Sequence, residues 1–362
     1  MYVPVTNGIV VLRADRIARM LVFASFVFLS VSNVSAQGRW IKLAPIPESS
    51  VESTFVTVGD NIYVLGGSPA GDNMTPKGIV LEYDTTTDRW TKKKNMPLPT
   101  HQAAAAEYHG KIYLFGGAVQ PASNGPNQFP TSNAWEYDPA ADMWRALAPM
   151  PTARFGAVAA EAGGKIYVIG GASVHPGAKL MSIGSGTPHR SLDVNEAYDP
   201  ATNQWEKQSP MPTARNHAAV GVVGGKIYVI GGRLGAANVM EGSNTDVVER
   251  FDPENNSWGA LGLRMPIARS GMGWATHENR IYIAGGEILD AHMFAAIRAV
   301  EAYDPASNQW TSLPTMPTAR HGVIVAAIGN RLYVISGHLQ GGSIGGEAAN
   351  TDVNEAFEFG EK

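Results

Sequence analysis

Four arginines stand at matching places in the chain, each three residues after a proline: Arg154, Arg215, Arg269 and Arg320. A guanidinium is a planar fork of donors shaped for carboxylate or phosphate, so a repeated arginine invites an anion-binding site. A matched set of acids argues for another use. Glu196, Glu249, Glu301 and Glu355 each lie two residues before an aromatic, and they fall in the same sequence units as the arginines. Where the arginine position holds Ser50 or Thr100, the acid position holds Leu81 or Trp135. Acid and base are thus present or absent together within a unit. Pairing each acid with the following unit instead would leave Arg154 facing Trp135 and Glu355 facing Ser50. The pattern predicts four within-unit Arg–Glu pairs, bidentate and half buried, that orient the chain and leave no free anion clamp.

Other reactive side chains flank these positions. One or two residues past the arginine position come Glu52, His101, Gln102, Phe155, Asn216, His217, Ser270 and His321. Ser68, Ala118, Ala172, Arg233, Glu287 and His338 follow a recurring pair of small residues. The candidate ligand-binding set is Arg233, His217, Asn216, Glu287, His338, His321, His101 and Glu52. Arg233 has no glutamate assigned to it, and with His217 and Asn216 it offers charge-assisted and amide hydrogen bonds to an anionic or sugar ligand. His101, His321 and His338 with Glu52 or Glu287 offer ligands for a divalent ion. The same residues also suit a solvated polar mouth. The histidines are scattered one per unit with no His-x-x-x-His spacing, so no metal or other cofactor is expected. The chain has no cysteine, which excludes disulfides, thiolate metal sites and cysteine nucleophiles. Its formal net charge is −4, with acids and bases interspersed and no basic stripe, so no nucleic-acid partner is expected.

The elements that position these residues are repeated. Gly164-Lys165-Ile166-Tyr167-Val168-Ile169-Gly170-Gly171 recurs with small changes at Asn61–Gly67, Gly110–Gly117, Gly225–Gly232, Asn279–Gly286 and Asn330–Gly337. Each copy is an apolar, β-branched run of strand length closed by two small residues, Ser336-Gly337 in the last. The spacing of about 50 to 60 residues is that of a propeller blade. Within the third unit the reading is strand A over Phe155–Ala162, a turn at Gly163-Gly164 and strand B over Lys165–Ile169. A long loop that could lid the funnel follows, then strand C over Asp193–Tyr198, a turn opened by Asp199-Pro200, and strand D from Trp205. Trp40-Ile41-Lys42-Leu43 reads as a strand D that precedes any A, B or C, and Asp352–Phe359 as a strand C with no D after it. The N-terminal strand is therefore expected to complete the last sheet and hide its edge.

Residues 1–36 read as an export signal. Arg13, Arg16 and Arg19 precede an apolar run, Met20 to Val31, that is short for a bilayer span, and Val34-Ser35-Ala36 offers a cleavage site before Gln37. The expectation is a periplasmic or secreted domain over 37–362, monomeric, with no membrane span after cleavage.

Gly-Gly after strand B, then Tyr-Asp-Pro as at Tyr198-Asp199-Pro200, then Trp, then Met-Pro-x-x-Arg, resembles the kelch repeat, and the resemblance covers Arg39–Phe359. It implies an all-β, six-bladed propeller with four antiparallel strands per blade. Kelch propellers include protein-binding modules, carbohydrate-active proteins and a few enzymes. The resemblance therefore implies binding of a glycan or protein through the variable D–A and B–C loops, at the positions named above. Galactose oxidase chemistry is excluded, because its copper cofactor needs a cysteine bonded to a tyrosine. The iron motif of plant specifier proteins, Glu-x-x-x-Asp-x-x-x-His, is not matched by the spacing of Glu287, Asp290 and His292. Exported sialic acid mutarotases supply the alternative reading, an enzyme in which Arg233, Glu287 and the funnel histidines act as general acid and base.

Overall fold

A computed structural model describes residues 38–69, 75–120, 128–175, 189–235, 243–259, 262–290, 293–341 and 349–360. The export-signal reading and most of the long loop after residue 175 lie outside the described residues.

Six four-stranded antiparallel sheets make six blades. Blade 1 runs A Thr54–Val58, B Asn61–Leu65, C Val80–Asp84, D Arg89–Lys92. Blade 2 is Ala104–Tyr108, Lys111–Phe115, Ala134–Asp138, Met143–Ala146. Blade 3 is Val158–Ala162, Lys165–Ile169, Asn195–Asp199, Gln204–Lys207, and blade 4 is Ala219–Val223, Lys226–Ile230, Val248–Asp252, Ser257–Trp258. Blade 5 is Gly273–His277, Arg280–Ala284, Val300–Asp304, Gln309–Ser312. Blade 6 takes A Ile324–Ile328, B Arg331–Ile335 and C Asn354–Glu358 from one end of the chain and D Arg39–Lys42 from the other. In that closing strand Trp40 pairs with Phe357 and Lys42 with Glu355, and the Trp40 and Phe357 rings lie 5.5 Å apart. Strand A of each blade packs against strand A of the next, round to the contact between blades 6 and 1, so the ring closes.

The core lies between successive sheets. Tyr167 and Ile169 of blade 3, for example, pack against Ile227, Val229 and Phe251 of blade 4. Strand B is covered on both faces, which is why it reads as a continuous apolar run instead of an alternating one. The strand D tryptophans also tie neighbouring blades together. Trp90, Trp144, Trp205, Trp258, Trp310 and Trp40 donate their indole N–H to the backbone carbonyls of Ala44, Lys94, Ala148, Ser209, Leu263 and Pro314, each on the preceding blade's D–A connection.

Strand A of blade 3 starts at Val158, three residues later than the sequence pattern suggests. Phe155 instead bridges to Ala172, and Gly156 at φ +61° turns the chain between the two pairings. The Gly-Gly pair has a steric reason. Gly170 sits at φ +67°, and a Cβ there would lie 2.6 Å from the carbonyl oxygen of Arg215 in the next blade.

Candidate functional site

The four arginines are in contact with the glutamates of their own blades. Arg154 Nη1 lies 2.8 Å from Glu196 Oε2, and Arg269 Nη1 lies 2.7 Å from Glu301 Oε2. Arg215 pairs with Glu249, and Arg320 with Glu355. The details differ from the bidentate, half-buried expectation. The guanidiniums are at most 1 % exposed, and Arg215, Arg269 and Arg320 each donate one hydrogen bond to their glutamate. The guanidiniums spend further donors on backbone carbonyls: Val168 at 3.0 Å, Val229 at 2.9 Å, Gly285 at 2.9 Å and Ser336 at 3.1 Å. Thr152 and Thr213 hydroxyls donate to the second oxygens of Glu196 and Glu249, both at 2.7 Å. Burial pushes all four arginine pKa values down against the pull of their glutamates, and it pushes the Glu355 carboxyl up. Desolvation therefore outweighs attraction, and geometry rather than net pairing energy is what these groups supply.

The residue after each arginine position bridges, antiparallel, to the residue after the small pair of the same blade: His101 to Ala118, Phe155 to Ala172, Asn216 to Arg233, Ser270 to Glu287 and His321 to His338. In blade 1 Val51 pairs with Ser68. These bridges bring the start of strand A and the end of strand B together at one end of each blade, so the D–A and B–C loops share a face. The next residue in each blade turns toward the axis. Glu52, Gln102, Gly156, His217, Gly271 and Gly322 all have φ between +50° and +61°. Their backbones link blade to blade: Gln102 N–H donates to Glu52 O, Gly156 to Gln102, His217 to Gly156, Gly271 to His217 and Gly322 to Gly271, at 2.7–3.1 Å.

Two polar clusters form on this frame. At the axis, Glu52 lies with His101 Nδ1 3.6 Å from Oε2 and His217 Nε2 3.7 Å from Oε1, and Gln102 Nε2 donates to Oε2. Burial pushes the Glu52 carboxyl up, but the His101 and His217 rings beside it outweigh burial and hold the group well below the usual carboxylate range. Off the axis, Arg233 Nη2 donates to Glu287 Oε1, Ser270 Oγ is 3.4 Å from the same nitrogen, and His321 Nε2 is 3.6 Å from Glu287 Oε2. The His338 ring stands 5.3 Å from that of His321.

Several expectations need correction. Arg233 has an acid partner after all: its guanidinium crosses to blade 5, a reach that within-blade pattern matching does not test. The backbones of Arg233 and Asn216 meet, but the polar ends diverge. Asn216 Nδ2 donates to Ser191 Oγ at 2.8 Å, and His217 turns to Glu52. The histidines and acids weighed as divalent-ion ligands, though no metal was expected, lie apart, with His101 at Glu52, His321 at Glu287 and His338 against His321. Among the described residues no group of three His, Asp or Glu side chains is placed to hold a metal ion. Gln128, whose Oε1 is 2.8 Å from His101 Nε2, and Ser191 were missed; Ser191 sits opposite the residue after the small pair, as Pro130, Asn244 and Ala296 do in other blades, but the residue type there does not repeat, so nothing in the sequence marked it.

The axial channel beside Glu52 and His217 encloses about 80 Å³. A larger cleft of about 370 Å³ lies elsewhere, at the A–B turn of blade 2 and the C–D turn of blade 3, lined by Tyr108, His109, Arg145 and Pro200. Its acid, Glu136, is occupied by Lys111 at 2.9 Å and by Arg145.

Comparison with known proteins agrees with this architecture. The model of the KLHDC2/KLHL20/DRC7 Kelch-repeats domain matches residues 52–286 and 172–337. The chain is 30 % identical over 339 residues to Kelch-like protein terF of Aspergillus terreus, covering 91 % of this chain and 70 % of that one. It is 28 % identical to Kelch-like protein 36 of Rattus norvegicus and 29 % identical to Beta-scruin of Limulus polyphemus. Those matches cover 81 % and 79 % of this chain but span only 45 % and 30 % of those longer proteins. The solved structure of YjhT superposes with a TM-score of 0.68 at 18 % identity, covering 87 % of this chain and 96 % of that one. With its six Gly-Gly-type strand ends, its six indole ties and a family match running from Glu52 to Gly337, the chain belongs to the kelch-repeat β-propeller family.

Proposed function

We propose that the protein is an exported binding module that holds a macromolecular ligand, a protein or a glycan, on its D–A/B–C loop face. Kelch propellers are commonly protein-interaction modules, and a protein is the partner we favour. One observation carries the choice of a binder over an enzyme. The channel that the funnel's polar groups surround, about 80 Å³, is well below the roughly 300–1,000 Å³ of pockets that bury small ligands. The rigid ring instead presents loops of differing length, the usual place for recognition. Affinity capture from the producing organism's extracellular or periplasmic fraction with the full-length protein, followed by titration of each captured species, tests this reading. A saturable macromolecular partner is expected, with binding lost when the loop around Ser191 is altered and kept when the cleft at Arg145 is altered. Binding that depends on Arg145 would overturn the choice of face. N-terminal sequencing of the mature protein is expected to begin at Gln37.

A second reading, a sugar mutarotase, has one observation in its favour: an ionised Glu52 faces two imidazoles on the axis, an arrangement that can take and return a proton. Polarimetry with free reducing sugars, sialic acids included, distinguishes the two. Accelerated anomer exchange that is lost in Glu52→Gln would favour the enzyme.

A further inference from the structure

We propose that the axial ring around Glu52 is a receptor for a primary ammonium group, supplied by a lysine side chain of the partner protein. The choice of lysine as donor rests on the protein-binding reading above; the ammonium site itself does not.

The first argument is charge. Each buried glutamate among the described residues is matched with a guanidinium or an ammonium: Glu136 with Arg145 and Lys111, Glu196 with Arg154, Glu249 with Arg215, Glu287 with Arg233, Glu301 with Arg269, Glu355 with Arg320. Glu52, with a side chain 15 % exposed, faces only the two histidines and Gln102. A part-buried carboxylate with one amide donor, from Gln102, keeps room for a cation.

The second argument is the direction of the lone pairs. Asn216 gives its Nδ2 hydrogen to Ser191, so its Oδ1 must accept, and at 2.5 Å it accepts from His217 Nδ1. An uncharged His217 ring with its hydrogen on Nδ1 points the bare Nε2 lone pair at Glu52. His101 repeats the pattern in mirror form. Its Nε2 is 2.8 Å from Gln128 Oε1, an acceptor, so the bare nitrogen is Nδ1, again facing Glu52. The Gln102 amide donates to Glu52 and leaves Oε1 as an acceptor. His101 Nδ1, His217 Nε2 and Gln102 Oε1 are all buried, with no hydrogen-bond partner among the described residues. In acid the two imidazolium rings can themselves serve Glu52. When the rings are uncharged, the axis is a convergence of acceptors around a negative charge and lacks donors. An ammonium brings three donors, no acceptor and one positive charge in a compact head. One nitrogen can lie at a hydrogen-bonding distance of about 2.9 Å from two acceptors 3.6 Å apart. A water brings no charge, and a divalent ion finds no three-ligand group here.

The third argument is strain. At this ring position blades 3, 5 and 6 use glycine, while blades 1, 2 and 4 hold Glu52, Gln102 and His217 in the left-handed region at φ 56°, 54° and 50°. A side chain there costs of order 1 kcal/mol or more, and such outliers mark functional positions. The strained residues are the ones that converge. Room is left for them: a Cβ on Gly156 would lie 2.9 Å from the His217 ring. The adjoining channel is lined by Phe55 and Trp274, rings 4.9 Å apart, and by Met272 and Val323, apolar surroundings in which charge pairing is strong.

The test uses the intact protein and three probes: Nα-acetyl-lysine amide, its Nε-trimethyl analogue and Nα-acetyl-norleucine amide. They are titrated at constant ionic strength above pH 7.5 while the ring nitrogens of His101 and His217 are followed by 15N NMR. The lysine probe is expected to shift both rings saturably, with the other two weaker by roughly tenfold or more, the worth of a charge-assisted hydrogen bond. Glu52→Gln, if folded, is expected to lose the response; the wild-type probe comparison stands if it does not fold. No saturable shift, an equal response to norleucine, or two rings already doubly protonated before any probe is added would overturn the proposal. Capture of a macromolecular partner with no lysine response would leave the binding-module reading intact and sink this one.

Discussion

Removing Arg215 is the sharpest test of what the repeated ion pairs do. The guanidinium is 1 % exposed, contacts Glu249, and donates to Thr213 O at 3.0 Å and Val229 O at 2.9 Å. Arg215→Ala leaves Glu249 buried at 1 % exposure, with the Thr213 hydroxyl at 2.7 Å as its remaining hydrogen bond. Breaking a buried pair from one side costs about 3–5 kcal/mol. That hydroxyl, and the option of Glu249 taking up a proton, place the expected loss at the lower end, about 3 kcal/mol. In a domain of about 320 residues that corresponds to a fall in melting temperature of roughly 4–5 °C. The assay is calorimetric melting of wild type, Arg215→Ala, Glu249→Leu and the double variant Arg215→Met/Glu249→Leu, with exposed Lys207→Ala as the surface reference. The double variant is expected to recover most of the loss, because an apolar pair carries no desolvation cost. A shift for Arg215→Ala no larger than that for Lys207→Ala would refute the structural role and return the arginine to the candidates for ligand binding.

Two further outcomes follow from the frame. Trp40→Ala removes a ring packed 5.5 Å from Phe357 and an indole bond to Pro314; with Trp40 partly exposed, a loss of about 2–3 kcal/mol is expected. Light scattering is expected to show association as the edge of Asn354–Glu358 is uncovered, and an unchanged melt would refute the latch. Glu52 gives a pH dependence whose sign is set by its depressed pKa. Its stabilisation is present above its ordinary value near 4.5 and is lost as pH falls through the lower folded value. The melting advantage of wild type over Glu52→Gln is therefore expected in mildly acid solution above about pH 4.5 and should shrink below it; an advantage that grows toward pH 3 would refute the assigned surroundings.

How far the sequence carried the fold depends on how local each constraint is. Strand B, the turn glycines, the Asp-Pro turns and the within-blade Arg–Glu contacts depend on positions that repeat, so six copies of the pattern expose them. The site depends on contacts between blades that do not repeat. His217 of blade 4 reaches Glu52 of blade 1, and Arg233 of blade 4 reaches Glu287 of blade 5. Ser191 and Gln128 enter from the B–C segments, whose pairing recurs from blade to blade but whose residue types do not. Period and composition list the chemical groups at the mouth, but which groups meet is decided by the curvature of the ring, which no single unit encodes.

The departures from the repeat are informative for the same reason, and two of them fall at the joints of blade 6. In five joints an Asp or Asn two residues before the strand D tryptophan accepts a backbone N–H from the preceding blade: Ala44 to Asp88, Lys94 to Asp142, Ala148 to Asn203, Ser209 to Asn256 and Leu263 to Asn308, at 2.7–2.9 Å. Before Trp40 the acceptor position is Gly38, where a Cβ would lie 2.0 Å from the Glu358 carbonyl oxygen, so no Asn or Asp fits beside the closing strand. The facing residue is Pro314, which has no N–H to leave unpaired. At the joint of blades 6 and 1 the first residue of the small pair is Ser336 and the arginine position is Ser50. The Ser336 hydroxyl accepts from Ser50 N–H at 3.1 Å and lies 2.8 Å from Ser50 O, the carbonyl that crowds the glycine in other blades. Donor and acceptor are deleted together at one joint, and a clash becomes a hydrogen bond at the other. The first substitution follows from the crowding beside the closing strand; the second turns a close approach into a bond at the joint where blade 6 meets blade 1.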